Sequence, residues 1–290
     1  MAKAKKEKME ANPFKLKKEL PRLPGYIIVT LWTAFIFCMI GWIILASLST
    51  TKEIFTGSLL ASGLHFENYT KALFTNKAAL NLLNSVIYTV PSCILIIVVC
   101  APAAYCMSRF KFRGAGLIQA LIIIGLAIPN IMIVMPLFSV VSALNLSGTH
   151  FTLIFLSTAC SVPYTTFFLL TFFKGISTSF EEAAAIDGCG PIQCFWKIMF
   201  PLAQPAIVTV SIFNFIGKWN EYFMALIFAN KSNLRPIGVG LYQTVTSMMN
   251  SGDWAGMFAS VVIVFIPTVV IYAFLSDKII SGVTAGGNKG

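Results

Sequence analysis

Charge is scarce in this chain. Asp, Glu, Lys and Arg make up 11% of its 290 residues, against about 25% in an ordinary soluble domain. That shortage excludes a water-soluble globular protein. Histidine is nearly missing too: only His65 and His150 occur, and neither has sequence neighbours that could complete a catalytic cluster. The chain contains no G-x-x-x-x-G-K-[ST] segment, so it lacks the loop that cradles nucleotide phosphates and cannot hydrolyse ATP by that chemistry. No internal repeat stands out, and the apolar stretches are poor in carboxylates. Both absences count against an ion-coupled secondary transporter. The seven cysteines (38, 93, 100, 106, 160, 189 and 194) fall in apolar stretches or in one short polar loop, which argues against a disulfide framework. Cys189 and Cys194 have no neighbouring His or further Cys, so no metal site is expected.

What is present is hydrophobic sequence, at 57% of residues. Charge-free runs cover 23–51, 78–108, 114–173, 198–217 and 254–276. A spanning helix needs about 20 mostly apolar residues. The run 114–173 is too long for one span, and the turn-forming stretch 145–150 divides it. Six spans are therefore expected, near 26–48, 83–107, 117–141, 151–173, 202–226 and 256–276, in an all-α integral membrane protein. Prolines inside the spans, among them Pro91, Pro102, Pro129, Pro136, Pro163 and Pro267, suit kinked helices around a cavity, although proline is common in membrane helices anyway. The basic N-terminus ahead of an apolar run is reminiscent of a signal peptide. That run is long for one, so it reads as a retained first span.

Lysine and arginine set the orientation. With both termini in the cytoplasm, only Lys52, Lys71, Lys77, Lys218, Lys231 and Arg235 lie outside; the other 15 of the 21 lie inside. The net charge of +10 then follows from topology and calls for no nucleic-acid partner. The chain divides into a basic cytoplasmic tail (1–24), a first transmembrane helix (25–49), an extracytoplasmic loop (50–81), a membrane core (82–277) and a cytoplasmic Gly-rich tail (278–290). Such a protein belongs in a membrane, surrounded by lipid.

Within the core, the loop 177–201 is unusual. Ser179-Phe180-Glu181-Glu182 reads as a capping box, with the Ser179 hydroxyl and the Glu182 carboxylate satisfying each other's backbone N–H. Glu181 and Glu182 also suit the positive end of a helix dipole. Ala183, Ala184 and Ala185 are strong helix formers, and Gly188 stops the helix. Gly190 is expected at a sharp turn, and Pro191 suits the first turn of a second helix. The result is a stiff stub about 12 Å long, at 1.5 Å per residue, shaped to seat in a groove on a partner protein.

Polar residues inside spans usually face the bundle interior. Asn214, Lys218 and Glu221 follow i, i+4, i+7 and share one helix face. Two readings stand side by side: a cavity or gate on a solute path, or snorkelling residues that anchor the span at the interface with Trp219 and Tyr222. Asn130 beside Pro129, Tyr164 beside Pro163, and Asn220 are further candidates for the path.

The loop resembles the EAA loop of binding-protein-dependent ABC importer permeases. The matching residues are Glu182-Ala183-Ala184, Gly188, Ile198 and Pro201, with Asp187, Phe195 and Pro205 in agreement. Cys189 replaces the usual Ala, and Phe200 the usual Leu. Phe66-Glu67-Asn68-Tyr69, Asn84-Ser85, Trp219-Asn220-Glu221-Tyr222 and the C-terminal Gly282–Gly290 segment resemble sugar permeases of the maltose type, on the G-subunit side. The resemblance implies the type I importer core (MetI-like) and uptake of an oligosaccharide or sugar-like solute. Relatives of similar appearance carry glycerol phosphate or polyols. It also implies a second permease subunit of the F type, two ATPase subunits holding ATP and Mg, and an extracytoplasmic sugar-binding protein. This chain itself would bind no cofactor and catalyse no reaction. Its ATPase-coupling residues would be Glu181, Glu182, Ala183, Ala184, Asp187, Gly188, Ile198 and Pro201.

Overall fold

The computed structural model describes residues 22–287, with side chains through Phe274. Four helices are long and apolar enough to cross a membrane, and six spans result if two bent helix pairs each count as one. The described residues begin with α1 (Leu23–Ser47) and continue through two short pieces, α2 (Thr51–Thr56) and α3 (Glu67–Thr70), the latter running into a π-helical turn at Lys71–Thr75. Then come α4 (Ala78–Arg109), α5 (Ala115–Ala127), α6 (Asn130–Ala143) and α7 (His150–Lys174). The polar loop holds α8 (Ser179–Ile186). A bent pair follows, α9 (Pro191–Leu202) and α10 (Gln204–Trp219). The last helices are α11 (Phe223–Phe228), α12 (Ile237–Ser251) and α13 (Trp254–Gly287).

Three expectations need correction. The third span is not one rod: α5 and α6 meet at 108°. Pro129 has no N–H to continue a helix, and the residue before a proline avoids helical angles. Ile128 accordingly has ψ 116° and Pro129 ψ 129°. By contrast α4, α7 and α13 stay helical through Pro91, Pro102, Pro163 and Pro267. The fifth span bends by 72° at Ala203 and ends at Trp219, so Glu221 lies beyond the helix and not on it. At the C-terminus α13 runs past 277 as far as Gly287. Residues 288–290 of the expected tail, and residues 1–21 of the basic one, lie outside the described residues.

α4 and α7 pack along each other, with α10 against both. Cys100, Ala101 and Ala104 of α4 are fully buried against Leu169 and Phe173 of α7 and against Met199, Ala203 and Val210. Small residues let membrane helices approach closely, where dispersion and not water expulsion holds them together. A second apolar cluster joins Tyr88, Leu153 and Leu156 to Val134, Met224 and Phe228. At the crossing of α4 and α12, a Cβ on Gly240 would stand 1.9 Å from the Asn81 amide, so only glycine fits there. α1 leans on α13 through the Trp42–Phe258 ring pair at 5.2 Å and is exposed from Leu23 through Met39. Such a surface suits lipid tails or a partner helix.

The loop between α1 and α4 is tied down. Thr50 and Glu53 form a capping box. The backbone N–H and the hydroxyl of Ser62 both donate to Glu53, at 2.5 and 2.6 Å. Hydrogen bonds from Ser62 and Thr50 hold the Glu53 carboxyl down at about 2. The Asn68 amide donates to the carbonyls of Ser47 and Ser49 at 3.0 Å each, and Lys71 pairs with Asp253 at the start of α13.

Candidate functional sites: an exposed helix and a polar cavity

α8 lies at the end of the molecule where α4 and α7 finish, at Arg109 and Lys174. Its C-terminus is closed as the sequence suggested, and more completely. Gly188 has φ +77°, its N–H reaches Ala185 O at 3.1 Å, and the Cys189 N–H reaches Ala184 O at 2.9 Å. This is the Schellman pair of bonds, which satisfies the last carbonyls of a helix. No atom lies within 4 Å of where a Gly188 Cβ would be. The glycine is needed for its backbone angle and not for space.

The expected capping box is not formed. Ser179 is already the first helical residue, and Thr178 before it has helical angles (φ −68°, ψ −17°). A capping residue needs extended backbone to swing its oxygen over the first N–H groups. The Ser179 hydroxyl pairs instead with Ser177, at 2.8 Å. Gly190 also departs from expectation: its φ of −70° is one that any residue adopts, and it simply precedes Pro191 at the head of α9.

Glu181 and Ala184 point into the protein, not out of it. The Tyr105 hydroxyl donates to the Glu181 carboxylate at 2.7 Å. Arg109 stands 2.6 Å from its other oxygen and donates to Ile176 O at 2.8 Å. Ala184 is 5% exposed and packs in the cluster of Phe173, Cys194 and Phe195. Glu182, Ala183, Asp187 and Gly188 remain exposed. Beside them stand two residues that sequence reasoning passed over, Ile186 at 87% and Ile192 at 78% exposure. Large apolar side chains bared at the polar end of a membrane protein mark a contact surface; an isoleucine just ahead of Asp187 was the available signal. Ile198 is half-buried against the cluster, on a π-helical turn at Phe195–Met199, and Pro201 is exposed beside the 72° bend.

The second site is a polar cavity of about 180 Å³ among α4, α6, α7 and α10. Five of the six path candidates line it: Asn130, Tyr164, Asn214, Lys218 and Glu221. Asn220 does not; it is exposed and donates to Ile216 O. Sequence reasoning missed Tyr88, Ser157, Cys160 and Ser161, because serine and cysteine in an apolar run carry no signal that separates them from packing residues.

Lys218 lines this cavity. It is 5% exposed and does not snorkel. Its ammonium donates to Ser157 O at 3.0 Å, Ser157 Oγ at 2.9 Å and Ser161 Oγ at 2.7 Å, which uses all three of its protons. Asn214 donates to Thr165 Oγ1 and to Val210 O, both at 2.9 Å. Glu221 accepts from the Met224 N–H at 2.9 Å and so caps α11. The cavity wall is thus a row of hydrogen-bonded polar groups along the α7–α10 seam. Burying them costs free energy unless each finds a partner. The described residues contain no group of three or more His, Cys, Asp or Glu that could hold a metal.

Kinked spans around a hydrogen-bonded cavity, with a capped helix presented at one end, define an all-helical membrane transport subunit. The chain matches the family of binding-protein-dependent transport system inner membrane components over residues 94–284, and it belongs to that family. It is 30% identical to the diacetylchitobiose uptake system permease protein NgcG of Streptomyces coelicolor, over 90% of this chain and 87% of that protein. It is also 30% identical to the trehalose/maltose transport system permease protein MalG of Thermococcus litoralis, over 94% and 98%. A bacterial ABC transporter involved in import of the acidic polysaccharide alginate contains a chain of the same fold. The TM-score is 0.76 at 24% identity, covering 88% of this chain and 96% of that one.

Proposed function

We propose that this chain is the permease subunit of an ATP-driven importer for a carbohydrate, in a bacterial inner or plasma membrane with both termini in the cytoplasm. A second permease subunit of the F type, two ATPase subunits and an extracytoplasmic sugar-binding protein complete the machine. The relatives named for diacetylchitobiose and trehalose/maltose support the solute class. ATP and Mg belong to the ATPase subunits.

The observation that carries the mechanism is the clamp on Glu181. A docking helix transmits force only if it is fixed to what must move. Tyr105 and Arg109 fix α8 to the end of α4, and the same helix lines the cavity at Tyr88. Arg109 and Tyr88 are about 32 Å apart along α4, at 1.5 Å per residue. In the other direction α9 leads through the 72° bend at Ala203 into α10, which carries Asn214 and Lys218. An ATPase subunit that grips the exposed face of α8 (Glu182, Ala183, Asp187, Gly188 with Ile186) therefore pulls on two walls of the cavity at once. The serine and tyrosine hydroxyls that line the cavity suit a polyhydroxylated solute.

The deciding measurement is ATPase activity of the reconstituted complex with its binding protein against a panel of carbohydrates. Stimulation by one of them, with uptake that persists when ion gradients are collapsed, is the expected result. Uptake that follows an ion gradient and ignores ATP would refute the reading.

A further inference from the structure

The link between α4 and α5 is short, Phe110-Lys111-Phe112-Arg113-Gly114, and each of its residues is exposed. Aromatic and basic side chains alternate along it. Its backbone is held in place. The Phe110 N–H donates to Cys106 O at 2.9 Å and the Ala115 N–H to Phe112 O at 3.2 Å, and Gly114 turns the chain at φ +93°. The Phe110 ring meets Tyr105 edge-on at 5.9 Å, the same tyrosine that holds Glu181. The Gln119 amide donates to Met107 O at 3.4 Å and ties the start of α5 to the end of α4.

Two observations place this loop and leave it unfilled. No residue of α5 is buried, and Leu117, Leu121 and Ile124 are exposed, so α5 turns its apolar surface out of the bundle. A link this short between two apolar helices stays at the membrane surface where they end. Neither Lys111 nor Arg113 has an ion-pair or hydrogen-bond partner among the described residues. Lysine and arginine only donate, and their bonds to phosphate are of the strong, charge-assisted kind. Phenylalanine suits the boundary between headgroups and acyl chains. A free phosphate would leave the two exposed rings without a partner. A zwitterionic headgroup would bring its own ammonium, which repels both cations.

We propose that the 110–114 loop binds the phosphate of an anionic phospholipid, with Lys111 and Arg113 on the headgroup and Phe110 and Phe112 against the acyl chains. The inference rests on the membrane and orientation proposed above, which put this end of α4 at the cytoplasmic leaflet, where anionic lipid attracts basic segments.

The test uses the full importer in phosphatidylcholine nanodiscs with a trace of photoactivatable phosphatidylglycerol. After illumination, mass spectrometry should find the label on residues 110–121, and unlabelled phosphatidylglycerol should displace it far better than phosphatidylcholine does. Each cation near an anionic surface contributes about fivefold, so Lys111→Gln combined with Arg113→Gln should cut that preference about 30-fold. Lys111→Arg combined with Arg113→Lys keeps the charge and should keep most of the preference. Lys174→Gln removes another exposed charge at the same end of the molecule and should leave it unchanged. Four results would overturn this site while the importer reading stands: equal displacement by the two lipids, no label on the loop because the second permease subunit covers it, an undiminished preference in the double glutamine variant, or an equal loss in Lys174→Gln. A loop reachable only from the side away from the ATPase subunits overturns the orientation and this site together.

Discussion

Replacing Glu181 with Ala should loosen α8 from the transport core. The carboxylate accepts from Tyr105 at 2.7 Å and faces Arg109 at 2.6 Å, with both side chains of the ion pair largely buried, at 10% and 18% exposure. A hydrogen bond to a charged group contributes roughly 1.5–3 kcal/mol. Breaking a fully buried pair by removing one partner costs about 3–5 kcal/mol. This pair lies at the polar end of the molecule and Arg109 keeps its bond to Ile176 O, so a loss of about 2–3 kcal/mol is expected. At about 1.4 kcal/mol per factor of ten, local opening of α8 rises roughly 30- to 150-fold. Hydrogen exchange at residues 179–189 of the purified complex measures this directly. Glu182→Ala is the control: its side chain is exposed, so exchange should not change while coupled uptake falls. Unaltered exchange in Glu181→Ala, or equal exchange in the two variants, would refute the clamp.

Three further outcomes follow from the same geometry. Gly188→Val forces a β-branched residue to φ +77°, with a cost on the order of 1–2 kcal/mol; uptake should uncouple from ATP hydrolysis, and Gly188→Asn, which tolerates that angle, should retain more of it. Asn214→Ala leaves the Thr165 hydroxyl without its donor and should slow transport with the complex still assembled; an unaffected transport rate would restrict Asn214 to packing. Glu53 is held at about 2, below the ordinary carboxylate value. A lowered pKa adds stability above the unfolded value of about 4.3 and loses it as the pH falls through the folded one. Proteolysis of the 50–66 segment should therefore rise between about pH 4.5 and 2 in the wild type, and Glu53→Gln should flatten that dependence.

The parts legible in the sequence were those set by local or one-dimensional physics. Twenty apolar residues are a span in any context, so the helices at 23–47, 78–109, 150–174 and 254 onward stood where hydropathy put them. Gly188 stops α8 because only glycine adopts its angle cheaply. The Ser179 box failed because Ser179 already lies in the helix and Thr178 before it has helical angles, and a real box went unread at Thr50 and Glu53. Capping depends on where the chain arrives from, which a short sequence pattern does not contain. Pro129 broke its span while Pro163 did not, although the two look alike in sequence. Ile128 takes the extended backbone that a following proline favours, whereas α7 is braced along its length by α4.

The loop shows the same division. By itself the sequence determined that 179–188 is a short, stopped, alanine-rich helix between apolar spans, because propensity and glycine conformation are local properties. Only the tertiary structure decided which glutamate does what. Glu181 and Glu182 are adjacent and chemically identical, yet a helix turns about 100° per residue. One carboxylate therefore meets Tyr105 and Arg109 while the other faces out. Lys218 was decided in the same way: its place in the chain allowed an interfacial anchor or a cavity wall, and the serines of α7, some 60 residues away in sequence, made it a wall.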